Sequence, residues 1–150
     1  MKRVAAYLLM FLMGLGYIFY CDAVEALPSW IITYRVCLHC ILMGGIGGCL
    51  YCLRGIYLNA CVRRSWDSIW IPWYMIRPIT SCLSGFISYI FMQAGVLILD
   101  SKSEQQPSEY GYLAIAFIAG LNVDKFIDKI ESLSKSLWGI EKSRSSSIGD

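Results

Sequence analysis

Charge is what this sequence lacks most. Only 16% of its 150 residues are Asp, Glu, Lys or Arg, against about 25% in a soluble domain. That deficit excludes a chain that covers its surface with solvated ions. Val4–Cys21, Val36–Leu53 and Ile79–Leu99 contain no carboxylate, amine or guanidinium at all, and His39 is the one histidine of the chain. Proton-coupled pumps place ionisable groups inside such runs, so their absence argues against that class. Prolines are four, and Pro28, Pro72, Pro78 and Pro107 fall between the runs or at the first turn of one, where proline is tolerated. There is no glycine-rich phosphate loop, no nucleophile elbow and no H-E-x-x-H. The expectation is therefore no enzyme, no metal, no cofactor and no small-molecule substrate.

What is present is apolar: 57% of the residues. Runs of about 18 or more such residues read as membrane spans, because only a helix pairs its own backbone groups inside lipid. Residues 4–21, 36–53 and 79–99 meet that length. A fourth run, 110–123, is too short alone, but continues into 124–138, where Phe126, Ile127, Ile130, Leu133 and Leu137 recur at helical spacing between charged residues. The spacing predicts one long helix there, apolar in its first half and amphipathic in its second. The expected architecture is thus all-α: a polytopic bundle of about four transmembrane helices over 1–138, the fourth extending as an amphipathic cytoplasmic helix, then a flexible polar tail over 139–150.

Basic residues concentrate on the cytoplasmic side of a membrane. With the N-terminus inside, 11 of the 13 Lys and Arg residues face the cytoplasm against six acids, and Arg35 and Lys102 face outward with five. Both termini are expected inside a bacterial inner membrane. Lys2, Arg3 and the Val24-Glu25-Ala26 triplet also resemble a cleaved secretory signal, but the apolar stretch is longer than the usual 7–15 residues, so a retained helix is expected. The inner segment between the second and third spans carries Trp66, Trp70, Trp73 and Tyr74 beside Arg63, Arg64 and Arg77. These side chains suit the headgroup level, and the segment reads as an interfacial anchor. A specific lipid or ligand site is the lesser reading.

Seven cysteines include two C-x-x-C pairs, Cys37/Cys40 and Cys49/Cys52, all in the second run. Thiolates for zinc are unfavourable in hydrocarbon, and cysteine is a good small apolar filler. His39 and Gln93 are read as helix-to-helix hydrogen-bonding groups. Gly44 and Gly48 form G-x-x-x-G, and Ser81/Gly85, Ser84/Ser88 and Ala116/Gly120 repeat the four-residue spacing. Small residues so spaced let helices approach closely in lipid. They serve packing within one chain or a homo-oligomer, and both readings stay open.

One pattern is more specific: Trp66-x3-Trp70-x2-Trp73-Tyr74-x2-Arg77-Pro78, then Gly85 and Tyr89, and later Ala116-Phe117-Ile118-Ala119-Gly120 with Phe126 six beyond. Over roughly residues 54–135 the chain resembles a group of small bacterial membrane proteins with a W-Y-x-x-R-P entry to one helix and an A-F-x-A-G helix leading inward. Leu121 stands where an aromatic residue is expected. Some proteins of this type resemble membrane effectors of anti-phage systems, including retron operons. The resemblance implies a toxin that oligomerises and damages the inner membrane. It also implies a cytoplasmic inhibitor, a reverse transcriptase with its RNA–DNA hybrid, that would contact Phe126, Ile130, Leu133 and Leu137. The alternatives are a membrane anchor for a cytoplasmic complex and a holin-like pore former. A thiol oxidoreductase using Cys37 and Cys40 is a further one, although the outer loop lacks the second cysteine pair that such enzymes need.

Overall fold

The computed structural model describes residues 2–63, 67–95 and 108–139, with all their side chains except those of Ser29, Trp30, Ser68, Leu137 and Trp138. The described residues are helical, with no strand: α1 (Lys2–Ala23), a single turn α2 (Ser29–Ile32), α3 (Arg35–Tyr57), α4 (Ile71–Gln93), α5 (Glu109–Leu121) and α6 (Val123–Trp138). A π turn, Leu58–Val62, prolongs α3, and a 3-10 turn, Ser68–Trp70, precedes α4. Three helices, α1, α3 with its π turn, and α4, are long and apolar enough to cross a membrane.

Backbone contact between small residues sets the architecture. α3 is central. A methyl group built on its Gly44 would lie 2.5 Å from the Ser81 carbonyl oxygen and 2.9 Å from Gly85 Cα, so α4 rests directly on it. On another face Gly47 meets α5, where the same construction falls 2.5 Å from the Phe117 carbonyl oxygen. Gly120 of α5 presses on the Gly44 carbonyl, and Gly85 on that of Cys40. In lipid no hydrophobic force drives helices together, and such close packing is the main source of association. Ser81 adds a polar clamp: its hydroxyl donates to the Gly120 carbonyl at 2.9 Å. α1 is held more lightly. Val4 and Leu8 pack against Cys52, Ile56 and Tyr74, the Tyr7 hydroxyl donates to the Met75 carbonyl at 3.2 Å, and Met10, Met13 and Tyr17 remain exposed.

Three expected boundaries move. α4 begins at Ile71, eight residues before the expected start, so Pro78 is inside the helix and not in its first turn. Proline lacks the N–H of a helical ladder; next to it, the Thr80 hydroxyl donates back to the Arg77 carbonyl at 2.9 Å. The segment expected to lie flat on the membrane is largely absorbed into the end of α3 and the start of α4. The helix expected to run unbroken over 110–138 is interrupted at Asn122 (φ −133°, ψ 62°). Asn122 donates its N–H to Ile118 and accepts from Phe126, each at 3.0 Å, closing one helix and opening the next. The physical reason is that asparagine accepts non-helical backbone readily, and the bend lets Val123 bury against the bundle. α5 thereby has 13 residues, about 20 Å of rise.

The close approaches can be tested by adding one methyl group. Gly120→Ala and Gly44→Ala should each lower stability in detergent by about 1–3 kcal/mol or more, the range for overpacking. Gly14→Ala and Gly16→Ala, where nothing lies within 4 Å, should leave the midpoint unchanged or raise it. Thermal unfolding followed by circular dichroism reads the difference; equal effects at all four positions would contradict the packing described.

Candidate functional site

Two charged clusters occupy opposite ends of the bundle. At the end where α1 and α2 meet α3, Asp22 is 7% exposed and accepts from Arg35 at 2.8 Å and from His39 Nε2 at 2.9 Å. The Phe19 ring lies 5.1 Å from the His39 ring. His39 thus makes the helix-to-helix contact expected of it. Gln93 does not: its amide donates to Tyr89 of its own helix at 3.0 Å. Asp22 was invisible as a partner in the sequence, because its two contacts are 13 and 17 residues away.

The other end is built around Arg77. It sits seven residues into α4 and is 4% exposed. Its guanidinium carbon lies 5.0 Å from the Tyr51 ring centre and 5.3 Å from that of Trp73, and aromatic faces attract a desolvated cation by about 2 kcal/mol or more. Nη1 donates to both carboxylate oxygens of Asp124 of α6, at 3.1 and 3.0 Å. Nε and Nη2 are buried with no hydrogen-bond partner among the described residues. A charge withdrawn from water needs compensation, and Asp124, itself 71% exposed, is the side chain that supplies it. Trp73 and Tyr74 meet edge to face at 5.0 Å, and Asn59 donates to the Tyr74 hydroxyl at 3.3 Å.

The expected site residues are distributed as follows. Gly44, Gly48, Ser81, Gly85, Ala116 and Gly120 are brought together and all are buried within one chain. Within one chain they form the close contacts of α3 with α4 and α5. Of the expected interfacial anchor, Trp70 is 55% exposed, whereas Tyr74 and Arg77 are 3% and 4% exposed and lie inside the bundle. The reason is the earlier start of α4: the i, i+4 spacing of Trp73 and Arg77 is helical, and it turns Arg77 inward. Trp66 lies outside the described residues. Phe126, Ile130 and Leu133 are half-buried, Ile127 is 48% exposed, and the side chain of Leu137 lies outside the described residues, as does the tail beyond Gly139. Cys40, Cys49 and Cys52 are fully buried, with Cys37 half-buried.

Beside this junction a cleft of about 490 Å³ opens between the end of α3 and the start of α4, lined by Arg54, Asn59, Arg63, Trp70 and Trp73 among others. No family model matches the chain, and neither a curated protein nor a solved structure matches it.

Removing Asp124 should expose how far Arg77 depends on it. Breaking a fully buried pair costs about 3–5 kcal/mol; because Asp124 is mostly in contact with water, Asp124→Asn should cost about 1–3 kcal/mol. The double variant Arg77→Met/Asp124→Asn should recover part of that loss. A double-mutant cycle on thermal midpoints in detergent measures the coupling, and strictly additive single effects would show that the pair contributes nothing.

Proposed function

We propose that the chain is a membrane-inserted effector of the anti-phage type it resembles, acting on the bilayer and restrained through α6 by a cytoplasmic partner. In this reading α1, α3, α4 and the shorter α5 form the membrane unit of a bacterial inner membrane. α6 is the amphipathic cytoplasmic element, and the end carrying Lys2, Arg3, Arg54, Arg63 and the α6 lysines faces inward, as the basic bias requires. One observation carries the proposal. The two halves of the resembling pattern meet: Arg77 of the W-Y-x-x-R-P segment binds Asp124, and Ser81 binds Gly120 of the A-F-x-A-G segment. A load on α6 would therefore reach the helix contacts inside the membrane unit through this ion pair, the buried Val123 and the turn of backbone at Asn122.

An effector of this kind needs no reaction centre. It needs stable insertion, outward apolar surface and a handle. The bundle leaves Met10, Met13 and Tyr17 of α1 and Ile76, Ile79 and Leu83 of α4 exposed, and copies would meet through such faces, since the glycine surfaces are already occupied. The resemblance implies a reverse transcriptase with its RNA–DNA hybrid as the restraining partner, at Phe126, Ile130, Leu133 and Leu137; because the first three are half-buried, we place the contact instead on the exposed side of α6, at Lys125, Ile127 and Lys129. A membrane anchor for a cytoplasmic complex is the second reading, favoured by the same exposed side of α6.

Induced alone in a bacterial host, the chain should collapse the membrane potential, read with a potential-sensitive dye, and stop growth. Co-expression of the reverse transcriptase and its RNA should preserve the potential, and Ile127→Asp should abolish that protection without changing the toxicity of the chain alone. Intact potential on unrestrained expression would remove the effector reading, and recruitment of a soluble protein through α6 in those same cells would establish the anchor instead.

A further inference from the structure

The cleft at the α3–α4 junction has the chemistry of an anion site. Arg54 and Arg63 line it, and neither forms an ion pair among the described residues. Among the described residues no acidic side chain lines it. Asn59 uses one amide N–H on the Tyr74 hydroxyl, and an amide carries a second. The aromatic wall adds to this. Tyr51 and Trp73 both line the cleft, and the same two rings lie against the buried guanidinium of Arg77. A third cation with two unused N–H-bearing nitrogens thus stands behind that wall.

The backbone is shaped to converge these groups. Arg54 and Arg63 are nine positions apart, and at 3.6 residues per turn such positions lie about half a turn from each other. They would point to opposite sides of a regular helix. The π turn at Leu58–Val62, closed by the Arg63 N–H to the Leu58 carbonyl at 2.9 Å, inserts an extra residue into that turn. It narrows the angle between Arg54 and Arg63 from about half a turn to about a quarter, and both then line the one cleft with Asn59. π turns are rare and are frequent at functional sites; here two guanidinium groups and one amide share a single cleft beside one.

We infer that this cleft binds a phosphate-bearing anion. Guanidinium groups pair with phosphate oxygens through two parallel hydrogen bonds, and half-exposed tryptophans beside them suit the depth at which lipid phosphates lie. The phosphodiester headgroup of an acidic membrane lipid and a soluble phosphate ester present the same chemistry to the site. The inference does not depend on the effector role: a chain that leaves the membrane potential intact would retain the cleft unchanged.

The test uses the full chain purified in detergent and reconstituted into nanodiscs of phosphatidylglycerol or of phosphatidylcholine. Native mass spectrometry should find phosphatidylglycerol retained on the wild-type chain after the disc is stripped. Retention by Arg54→Gln/Arg63→Gln should fall on the order of tenfold or more, the loss expected from removing charge-assisted hydrogen bonds. Both arginines are exposed, and circular dichroism should be unchanged. Lys125→Gln/Lys129→Gln removes the same charge outside the cleft and should retain the lipid as wild type does. Glycerol 3-phosphate added to phosphatidylcholine discs distinguishes the sources: saturable binding lost in the arginine variant assigns the site to a soluble ester. The inference is overturned by equal retention in wild type and arginine variant, by equal loss in the lysine variant, or by no binding of either probe.

Discussion

The backbone contact between Gly44, Gly85 and Gly120 constrains everything else in this molecule. Three helices can share one crossing region only where side chains are missing, and α3 supplies the missing side chains on two faces at once. Inside a bilayer this matters more than in water, because lipid tails solvate leucine as well as another leucine does. The glycines therefore act where larger apolar residues would contribute little. They bring Ser81 within reach of the Gly120 carbonyl, and that in turn sets the end of α5 beside the start of α4. Arg77 can reach Asp124 only because this crossing is tight.

Polar groups sit at the two ends of the bundle, where water can share in their solvation. Asp22 with Arg35 and His39 closes one end; Arg77 with Asp124 and two aromatic rings closes the other. The arrangement differs in strength between the ends. Asp22 is buried with two donors, whereas Arg77 is buried with one exposed acceptor. Both ends pair across helices, but at the second a single exposed carboxylate on α6 answers the buried cation, beside the apolar hold of Val123.

The helical class and the long apolar helices were legible in the sequence because lipid imposes length and uniform hydrophobicity, both of which survive as plain runs of letters. The small-residue pairs were legible too, although spacing could not say whether they face a neighbouring helix or a second copy. Other features were hidden for identifiable reasons. The early start of α4 was masked by Pro72 and Pro78, which look like loop residues, although the Trp73–Arg77 spacing was the available helical signal. The interruption at Asn122 was masked by apolar periodicity on both sides of a single polar residue. The Arg77–Asp124 pair spans 47 positions, and no local rule connects them. The cleft depends on one extra residue in one turn, a feature with no compositional trace.

The brevity of α5 has a consequence of its own. Its apolar rise of about 20 Å falls short of the roughly 30 Å of hydrocarbon in an ordinary bilayer, while its neighbours are long enough to match it. In the inserted arrangement proposed above, lipids beside α5 would have to shorten and those beside α4 would not, so the annulus would be uneven in thickness. Hydrophobic mismatch of this sort has an elastic cost that falls when distorted patches merge. In that arrangement the short helix would give each copy a weak, undirected tendency to gather with others on its thin side, with no matching side chains required.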